Sequence, residues 1–599
     1  MQAGSKNLQK VFEQTVRYRI PLFQRPYVWK QEENWEPLWQ DIRNLADRQV
    51  TGSDGRSHFI GAVVLEQLLG ATGAVEVRQV IDGQQRLITI QILLAALRDI
   101  ARAQSLDKYY QRCAKYTAND EAFIGSKEEL FKVWPTNLDR SEFQTTMTAG
   151  SPDELRRLYG KKKTQAIGIK IPDAYLYFHG VVQEWMGSDP AELEKRSEAL
   201  WNSITTQLRV VTIDLEQDDD PQVIFETLNA LGTKLLPADL VKNYLFHLAE
   251  LKKLPLDELY EKYWKFFDDN FWREEVRQGR LKRPRLDLFF QHYLTLKTND
   301  DVNVTHIFEV FKGYDKSSGK SVEEHLKDLK EYGDLSRTFF SPPKGSRAEL
   351  FFYRLDLIDT ATVIPLLLEA FRAFPLPDGE AEIAQILMDM ESFLARRMVC
   401  NLTTKNYNRF FLDVLKDAAK AGGVSPQQFR SYLLKQTAEV SRWPDDGEFG
   451  KALLTSQLYD ILSQRKLRMI LEALDLAMES EKSEKIYIQA SLSIEHLLPQ
   501  SWHEYWPLNI TDPEEKKRAS ERRDSILHTI GNLTLLTQKL NSSVSKGPWE
   551  TKKPAIVAQS KLNMNRRFHD IPDWNEDRIQ TRSQQLLDLA KSVWPRPSA

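Results

Sequence analysis

The segment Val80–Thr89, VIDGQQRLIT, places five polar or flexible residues between two apolar runs. The preceding AVEVRQVI is rich in β-branched residues and has the length of a strand, whereas the following LITIQILLAALRDI has the length and recurring apolar positions of a helix. The segment therefore predicts a strand, a tight polar turn and a helix start. Such a turn is either an ordinary connection or a place where the backbone closes around an anion, and taken alone the segment favours the ordinary turn.

The composition is that of a folded protein with several domains. A chain of 599 residues is too long for one core and should form about three or four domains. No stretch reaches the roughly 18 uncharged apolar residues of a membrane span, and MQAGSKNLQK has no apolar signal core, so we expect a cytoplasmic protein without membrane contact. The two cysteines exclude a disulfide framework. With a net charge of −3, nucleic-acid contacts would have to come from local basic patches.

The pattern along the chain predicts a multidomain α+β fold that is mostly helical. HFIGAVVLEQLL, followed by the turn signal GATG, reads as another strand. LRVVTIDLEQDDDPQVIFETLNALGTKLLPADLVKNYLFHLA reads as strand, acidic loop, helix, Gly turn and helix, with Pro237 at the last helix start. Residues 250–480 read as helices, and a strand-like stretch near 485 precedes a Lys-rich helical tail. We place domain boundaries at 1–248, 249–430 and 431–599.

A second pattern lies near the C-terminus, where SIEHLLPQSW is followed by HTIGNLTLLTQKLNSSVSKGPWETKK. Hydrolysis of a phosphodiester needs a base for the attacking water and a metal ion at the phosphate. A neutral histidine suits the base, and carboxylate or amide oxygens suit Mg²⁺ or Mn²⁺. Either half alone is more typical of a chance helix entry or an ordinary turn. Both halves in this order indicate a metal-dependent nuclease site.

The C-terminal pattern resembles the HNH, or ββα-metal, nuclease motif. The resemblance implies that His496 is the general base and that Glu495 and Asn541 are metal ligands. It also implies that Asn532 orients the histidine or its loop and that Lys552 faces the phosphate. Many HNH proteins have His where this chain has Asn541 and Asp where it has Glu495, so the metal ligation departs from the common pattern.

The whole chain resembles GmrSD-type modification-dependent (type IV) restriction endonucleases. The segments IPLFQRPYVW, FIGAVVL, VIDGQQRLITIQILLAAL and FETLNALGTKLLPADLVKNYLF occur in the family's order, as do ESFLARRMVCNLTTKNYNRFF and the HNH tail. The resemblance implies a ParB/sulfiredoxin-like N-terminal domain that binds and hydrolyses an NTP, and a helical middle that couples it to the nuclease.

In that fold a Gly-x-x-Arg turn at a helix start holds nucleotide phosphates, and here GQQR supplies it. Backbone N–H groups at a helix start point at an anion, and arginine offers a two-pronged donor. The glutamines could position water or phosphate oxygens, and the aspartate in front could hold a metal. The nucleotide-binding residues implied are Gln24, Arg25, Asp82, Gly83, Gln84, Gln85 and Arg86.

Two basic stretches, FWREEVRQGRLKRPRLDLFF and EKKRASERRDS, are candidate DNA contacts. Charge runs are mostly solvated faces, but the second lies inside the nuclease motif, where phosphate contacts would be useful. Asn229 and Asn243 accompany Lys242 as weaker candidates for the N-terminal site. The DNA-binding residues expected are Lys242, Arg522, Arg523, His528 and Lys546.

These features together predict a restriction endonuclease that cleaves modified foreign, phage, double-stranded DNA. Glucosylated or hydroxymethylated cytosine is the first expectation for the mark, and a phosphorothioate-sensing nickase of the same architecture is the alternative. A non-catalytic DNA- or nucleotide-dependent regulator and a toxin that cleaves RNA remain open at this stage. A homodimer would let two HNH sites cut both strands, although no segment indicates an interface.

Overall fold

The computed structural model describes residues 2–22, 24–52, 57–68, 75–161, 167–215, 236–278, 281–479, 491–544 and 546–598. The chain forms two compact units, Met1–Lys265 with Ser321–Leu326, and Phe266–Lys320 with Lys327–Ala599. The predicted multidomain, mostly helical α+β architecture is confirmed, whereas the division into three domains stays a prediction. No helix in the described ranges is both long enough and apolar enough to cross a membrane.

The first unit is built on a six-stranded mixed sheet with the order β1-β6-β3-β4-β2-β5. Its strands are β1 Gln2–Asn7, β2 Val16–Arg19, β3 His58–Leu68, β4 Glu76–Asp82, β5 Val133–Trp134 and β6 Leu208–Leu215. Strand β3 pairs antiparallel with β4 and parallel with β6. The strands predicted from HFIGAVVLEQLL, AVEVRQVI and LRVVTIDL are therefore confirmed. The GATG turn, and the acidic loop, helix and Gly turn predicted for 216–235, lie outside the described residues.

The first unit contains one long buried helix among shorter ones. They are α1 Leu8–Phe12, α2 Glu36–Val50, α3 Gln84–Ala103, α4 Asp107–Thr117, α5 Arg140–Thr148, α6 Pro152–Leu158, α7 Lys170–Met186, α8 Pro190–Asn202, α9 Pro237–Leu251 and α10 Leu256–Leu259. Helix α3 is buried along nearly all of its length because α4 and α7 cover it, which explains its unbroken apolar run. Helix α9 begins at Pro237, as LPAD predicts.

The second unit is mostly helical. Its helices are α11 Asn270–Arg273, α12 Arg285–Thr298, α13 Ile307–Ser318, α14 Val322–Thr338, α15 Arg347–Ile358, α16 Ile364–Ala373, α17 Glu380–Val399, α18 Tyr407–Lys420, α19 Pro426–Leu434, α20 Asp446–Thr455, α21 Leu458–Ile461, α22 Gln464–Leu476, α23 Trp502–Tyr505, α24 Pro513–Leu527, α25 Gln538–Val544, α26 Trp549–Gln559, α27 Asn563–Arg566 and α28 Glu576–Val593. The first residues of α14 belong to the first unit.

The helical prediction for 250–480 is wrong in one place. The basic stretch after Trp272 forms an antiparallel pair, β7 Glu275–Gln278 and β8 Leu281–Pro284. Arg283 precedes a proline, and a residue in that position is disfavoured in helical geometry and favoured in extended geometry. The preference of the residue before proline for extended geometry therefore agrees with the strand found here, and the helical pattern of the flanking sequence does not.

The C-terminal segment contains two further strands, β9 Leu492–His496 and β10 Leu533–Thr537, which pair antiparallel. Helix α25 follows β10 directly and packs against both strands. The apolar core beneath them includes Leu497, Trp502, Leu536, Trp549 and Trp574, all buried. The beginning of this segment near 485 lies outside the described residues; in the described part a strand starts at Leu492, and the helical tail is as predicted.

Candidate functional site

The expected nuclease residues lie on one strand–strand–helix unit. His496 is the last residue of β9 and pairs with Leu533, the first residue of β10. Glu495 pairs with Thr534, and Asn541 lies on α25. The segment GNLTLL begins at Gly531, 35 positions after His496 in the sequence. The antiparallel register nevertheless brings the two halves of the motif together at one strand end.

His496 is a buried imidazole with both ring nitrogens engaged. Its Nε2 lies 2.9 Å from Nδ1 of His528, and its Nδ1 lies 3.3 Å from the side-chain nitrogen of Gln500. Its ring meets the Tyr459 ring in an edge-on arrangement at a centroid distance of 4.5 Å. Burial, with smaller contributions from His528 and Lys552, lowers the pKa of His496 to about 3. The ring is therefore neutral at cellular pH, which is the form a general base needs.

Glu495 and Lys552 form a buried ion pair. Lys552 Nζ donates to Glu495 Oε1 at 2.6 Å and to the main-chain oxygen of His496 at 2.7 Å. Burial raises the pKa of Glu495 and lowers that of Lys552, and their mutual attraction offsets both shifts only in part. Lys552, expected to face the phosphate, is fully buried and instead fixes the carboxylate and the end of β9.

Asn532 holds the loop that follows the histidine. Its side-chain oxygen accepts from Leu498 N at 2.8 Å, and its side-chain nitrogen donates to Leu498 O at 3.0 Å and Leu527 O at 2.9 Å. Of the two roles that the resemblance allowed, orienting the histidine or orienting its loop, this geometry fits the second. Complete burial makes these bonds costly to lose.

Asn541 is placed to offer an oxygen ligand beside β9. Its side-chain nitrogen donates to Ser493 Oγ at 2.9 Å and to Ile494 O at 3.2 Å, so neither bond uses the side-chain oxygen. Glu495 and Asn541 together provide one carboxylate oxygen donor and one amide oxygen donor. Two protein ligands are enough for Mg²⁺, because this ion usually keeps several of its water ligands. Within the described ranges, no group of three or more His, Cys, Asp or Glu side chains could hold a metal. The donor set fits a hard divalent cation, which would compete with Lys552 for Glu495.

The basic residues expected to bind DNA fall into two classes. Arg523 is buried, pairs with Glu576 at 2.5 Å and donates to Trp506 O at 2.7 Å, so its assignment as a DNA contact is corrected to a structural one. Arg522 is exposed and pairs with Asp577. Lys546 is exposed near the Tyr505 ring. Exposed pairs are weak, so Arg522 and Lys546 keep the accessibility that a phosphate contact requires.

The N-terminal turn has the predicted strand–turn–helix geometry. Gly83 has φ +97°, and a Cβ there would lie 2.8 Å from Val63 Cγ2, so the turn needs glycine. The N-cap residue is Gly83, which offers no side-chain acceptor to the first N–H groups of α3. Arg86 lies against Gly61, where a Cβ would be 2.7 Å from its Nε, and it donates to Ala62 O at 2.9 Å.

Two of the three candidate glutamines support the backbone. Gln24 donates to Val80 O at 2.7 Å and Ile81 O at 3.0 Å. Gln85 accepts from Val28 N at 2.8 Å and donates to Pro26 O at 3.1 Å. Gln84 is different, because its buried side-chain oxygen has no hydrogen-bond partner in the part of the chain that the structure describes. A buried orphan acceptor at a helix start indicates a place for a ligand or water.

Several charged residues were candidates for the site at the turn. Burial lowers the pKa of Arg25, while the carboxylates of Asp239 and Asp82 raise it, so both acids face this guanidinium. Lys242 is buried, with its ammonium 5.2 Å from the centre of the Tyr260 ring, and the expected DNA contact is therefore corrected. Asn243 is also buried, with no partner in the described ranges for its side-chain oxygen. Asn229 lies outside the described residues.

Sequence reasoning missed several residues that shape the two sites. Tyr459 and Gln500 contact His496, and Asp239 faces Arg25. Gln500 follows His496 by four residues and could have been found from its place in the motif. Tyr459 comes from a helical segment far upstream, and Asp239 lies in the first turn of α9, so nothing local marked either of them as part of a site.

Two parts of the chain match known families. Residues 8–246 match the N-terminal domain of the GmrSD restriction endonuclease. Residues 443–589 match the C-terminal domain of the GmrSD restriction endonucleases. No curated protein matches the chain. The two matches together span most of the chain, in the order and over the segments that carry the two sites, and the chain therefore belongs to the GmrSD restriction endonuclease family.

Proposed function

We propose that this protein is a type IV restriction endonuclease whose cleavage centre is the HNH-like unit of β9, β10 and α25. The observation that carries the proposal is the placement of a neutral, buried His496 at the end of β9, beside Glu495 and across from the GNL segment. A histidine held in this form can take a proton without first losing one. The family makes DNA the substrate.

In this proposal His496 takes the proton of the attacking water as oxygen adds to phosphorus and the 3′ oxygen leaves. Mg²⁺ or Mn²⁺, held by Glu495 and Asn541, would supply charge stabilisation at the phosphate and the leaving oxygen. Lys552 keeps the Glu495 carboxylate in place, and Asn532 fixes the loop that carries the chain away from His496. Arg522 and Lys546 would contact phosphates along the duplex.

The proposed role of the N-terminal turn is to bind an NTP and to hydrolyse it. Support comes from the uncapped start of α3, the orphan oxygen of Gln84 and the nearby guanidinium groups of Arg25 and Arg86. Backbone N–H groups and arginines would hold the phosphates. Asp82 and Asp239 are the carboxylates available for the cation of a metal–nucleotide complex.

The proposed substrate is phage DNA with glucosylated or hydroxymethylated cytosine, with phosphorothioate DNA as the second candidate. The test is a cleavage assay with purified wild type and His496→Ala on unmodified, glucosyl-hydroxymethylcytosine and phosphorothioate DNA. Each substrate is tested with Mg²⁺ or Mn²⁺, and with and without NTP. Removing a general base lowers the rate by about 10²–10⁴-fold, so we expect cleavage of one modified substrate by the wild type and almost none by His496→Ala.

His569→Ala is the matched control, because His569 is an exposed histidine that pairs with its neighbour Asp570. It should cleave like the wild type. Equal cleavage of all three DNAs would retain the nuclease and contradict mark sensing. DNA binding without His496-dependent cleavage would favour a regulatory protein, and preferential cleavage of RNA would favour a toxin.

A further inference from the structure

His528 contacts the histidine proposed as the general base, and a role in DNA contact alone would not account for this contact. It is the C-cap residue that directly follows α24. Its Nδ1 lies 2.9 Å from Nε2 of His496, and the two rings are nearly perpendicular, at 87°. Its ring stacks on Tyr459, at 5.5 Å between centroids and 17° between planes. The main-chain N–H of Tyr459 donates to the carbonyl of His528 at 3.3 Å.

These contacts fix which nitrogen of His496 carries its proton. A neutral imidazole has one N–H donor and one bare acceptor nitrogen. The side-chain nitrogen of Gln500, which can only donate, faces Nδ1 of His496. Nδ1 is then the acceptor, and Nε2–H is the donor to the bare Nδ1 of His528. In this arrangement His528 holds the proton on Nε2, and Nδ1, which accepts from Gln500 at 3.3 Å, is the nitrogen whose lone pair can take a proton.

We propose that His528 is a positioning residue of the nuclease, which sets the tautomer and orientation of His496, and that Tyr459 holds both rings in place. The inference rests on the proposed role of His496 as the base. Tyr459 belongs to α21, which precedes both halves of the motif in the sequence. A residue of the preceding helical segment therefore forms part of the nuclease centre. Partners of this kind typically change activity by about 10–100-fold at metal sites, and we expect a loss of that size here.

The experiment compares His528→Phe with His528→Asn in the full chain. Phenylalanine keeps the stacking surface but removes the acceptor, whereas asparagine places an oxygen near the position of Nδ1. We expect His528→Phe to lower kcat about 10- to 100-fold with unchanged DNA affinity, and His528→Asn to recover most of that loss. His569→Phe is the matched control and should leave both quantities unchanged.

The second readout is independent of cleavage. In ¹⁵N-histidine-labelled protein, the His496 signals, identified by their loss in His496→Ala, should show the Nε2–H tautomer in the wild type. They should shift toward a mixture of tautomers in His528→Phe and return in His528→Asn. An Nδ1–H tautomer in the wild type, or wild-type kcat in His528→Phe, would overturn the proposal. So would an equal loss of DNA affinity in both variants, which would make His528 a DNA contact. Cleavage that persists in His496→Ala would instead refute the nuclease assignment itself.

Discussion

The two candidate sites use their polar residues in opposite ways. At the end of β9, the candidate side chains bind one another or their immediate partners: Glu495 pairs with Lys552, and His496 with His528. At the turn before α3, two of the glutamines bind main-chain atoms, and the uncapped helix start is itself the candidate ligand site. The comparison shows that a polar motif can indicate either a set of reacting side chains or a main-chain conformation that can itself bind a ligand. Variants should separate these two cases.

The largest effect is expected from Lys552→Met, which breaks the buried pair in the nuclease centre. The variant leaves the Glu495 carboxylate buried without its partner, and such changes cost about 3–5 kcal/mol. The free energy of unfolding, measured by urea denaturation, should fall by this amount.

The control for that variant is the double substitution Glu495→Gln with Lys552→Met. It removes both charges together, so much of the lost stability should return, although cleavage should not. A Lys552→Met protein as stable as the wild type would contradict the view that these side chains form a mutually dependent set.

Gly83→Ala should have the next largest effect, because it alters the shaped backbone at the other site. The αL conformation costs a non-glycine residue about 1–2 kcal/mol, and the contact with Val63 should add about 1–3 kcal/mol. Thermal denaturation of the variant should show this loss, and nucleotide binding measured by calorimetry should weaken with it.

Gly160→Ala is the matched control. Gly160 also has a positive φ, +63°, but among the described residues no atom beyond its chain neighbours lies within 4 Å of an added Cβ. Its loss of stability should be limited to about 1–2 kcal/mol, with nucleotide binding unchanged. Equal losses in the two variants would show that Val63 gives way and that Gly83 has no special requirement.

A pair of buried aspartates allows the two units to be compared by pH. Burial raises the pKa of Asp139, in the first unit, and of Asp475, in the second, from 3.8 to about 6. Each folded unit therefore holds a proton that the unfolded chain releases between about pH 4 and 6, and stability falls as pH rises through this window. Above it, each charged group costs about 2–3 kcal/mol.

Asp475→Asn and Asp139→Asn should each raise the melting temperature at pH 7 relative to the wild type and give little gain near pH 4. The asparagine oxygen can still accept from Met564 N in the first variant and from Tyr27 N in the second. A gain that is equal at both pH values would contradict the assigned pKa shifts. A gain in only one variant would show that the two units bury their carboxylates at different cost.

Much of the fold could be predicted from the sequence because its signals are local. Strand-length β-branched runs gave β3, β4 and β6, and Pro237 marked the start of α9. The hairpin β7–β8 was missed because its charged residues resemble a helix surface, although the proline after Arg283 argued for an extended chain.

The candidate sites were predictable as sets of residues but not as sets of contacts. The motif identified Glu495 and His496, yet only the fold shows that Lys552 turns inward to the carboxylate. Arg523 and Lys242 were expected on the surface because they are basic, whereas burial against Trp502 and Tyr260 gives them structural roles. Burial depends on residues distant in sequence, and charge alone does not reveal it.

The smallest and sharpest prediction separates the neighbouring glutamines of the turn. Gln85→Ala removes the bonds to Val28 N and Pro26 O and should cost about 1–2 kcal/mol of stability. Gln84→Ala removes a buried oxygen that has no partner in the described ranges, so it should cost less stability than Gln85→Ala does. If the orphan oxygen faces a ligand, Gln84→Ala should weaken nucleotide binding while lowering the melting temperature less than Gln85→Ala. The reverse pattern, an unstable Gln84→Ala with full nucleotide affinity, would make both glutamines scaffold and remove the side-chain support for a ligand at this turn.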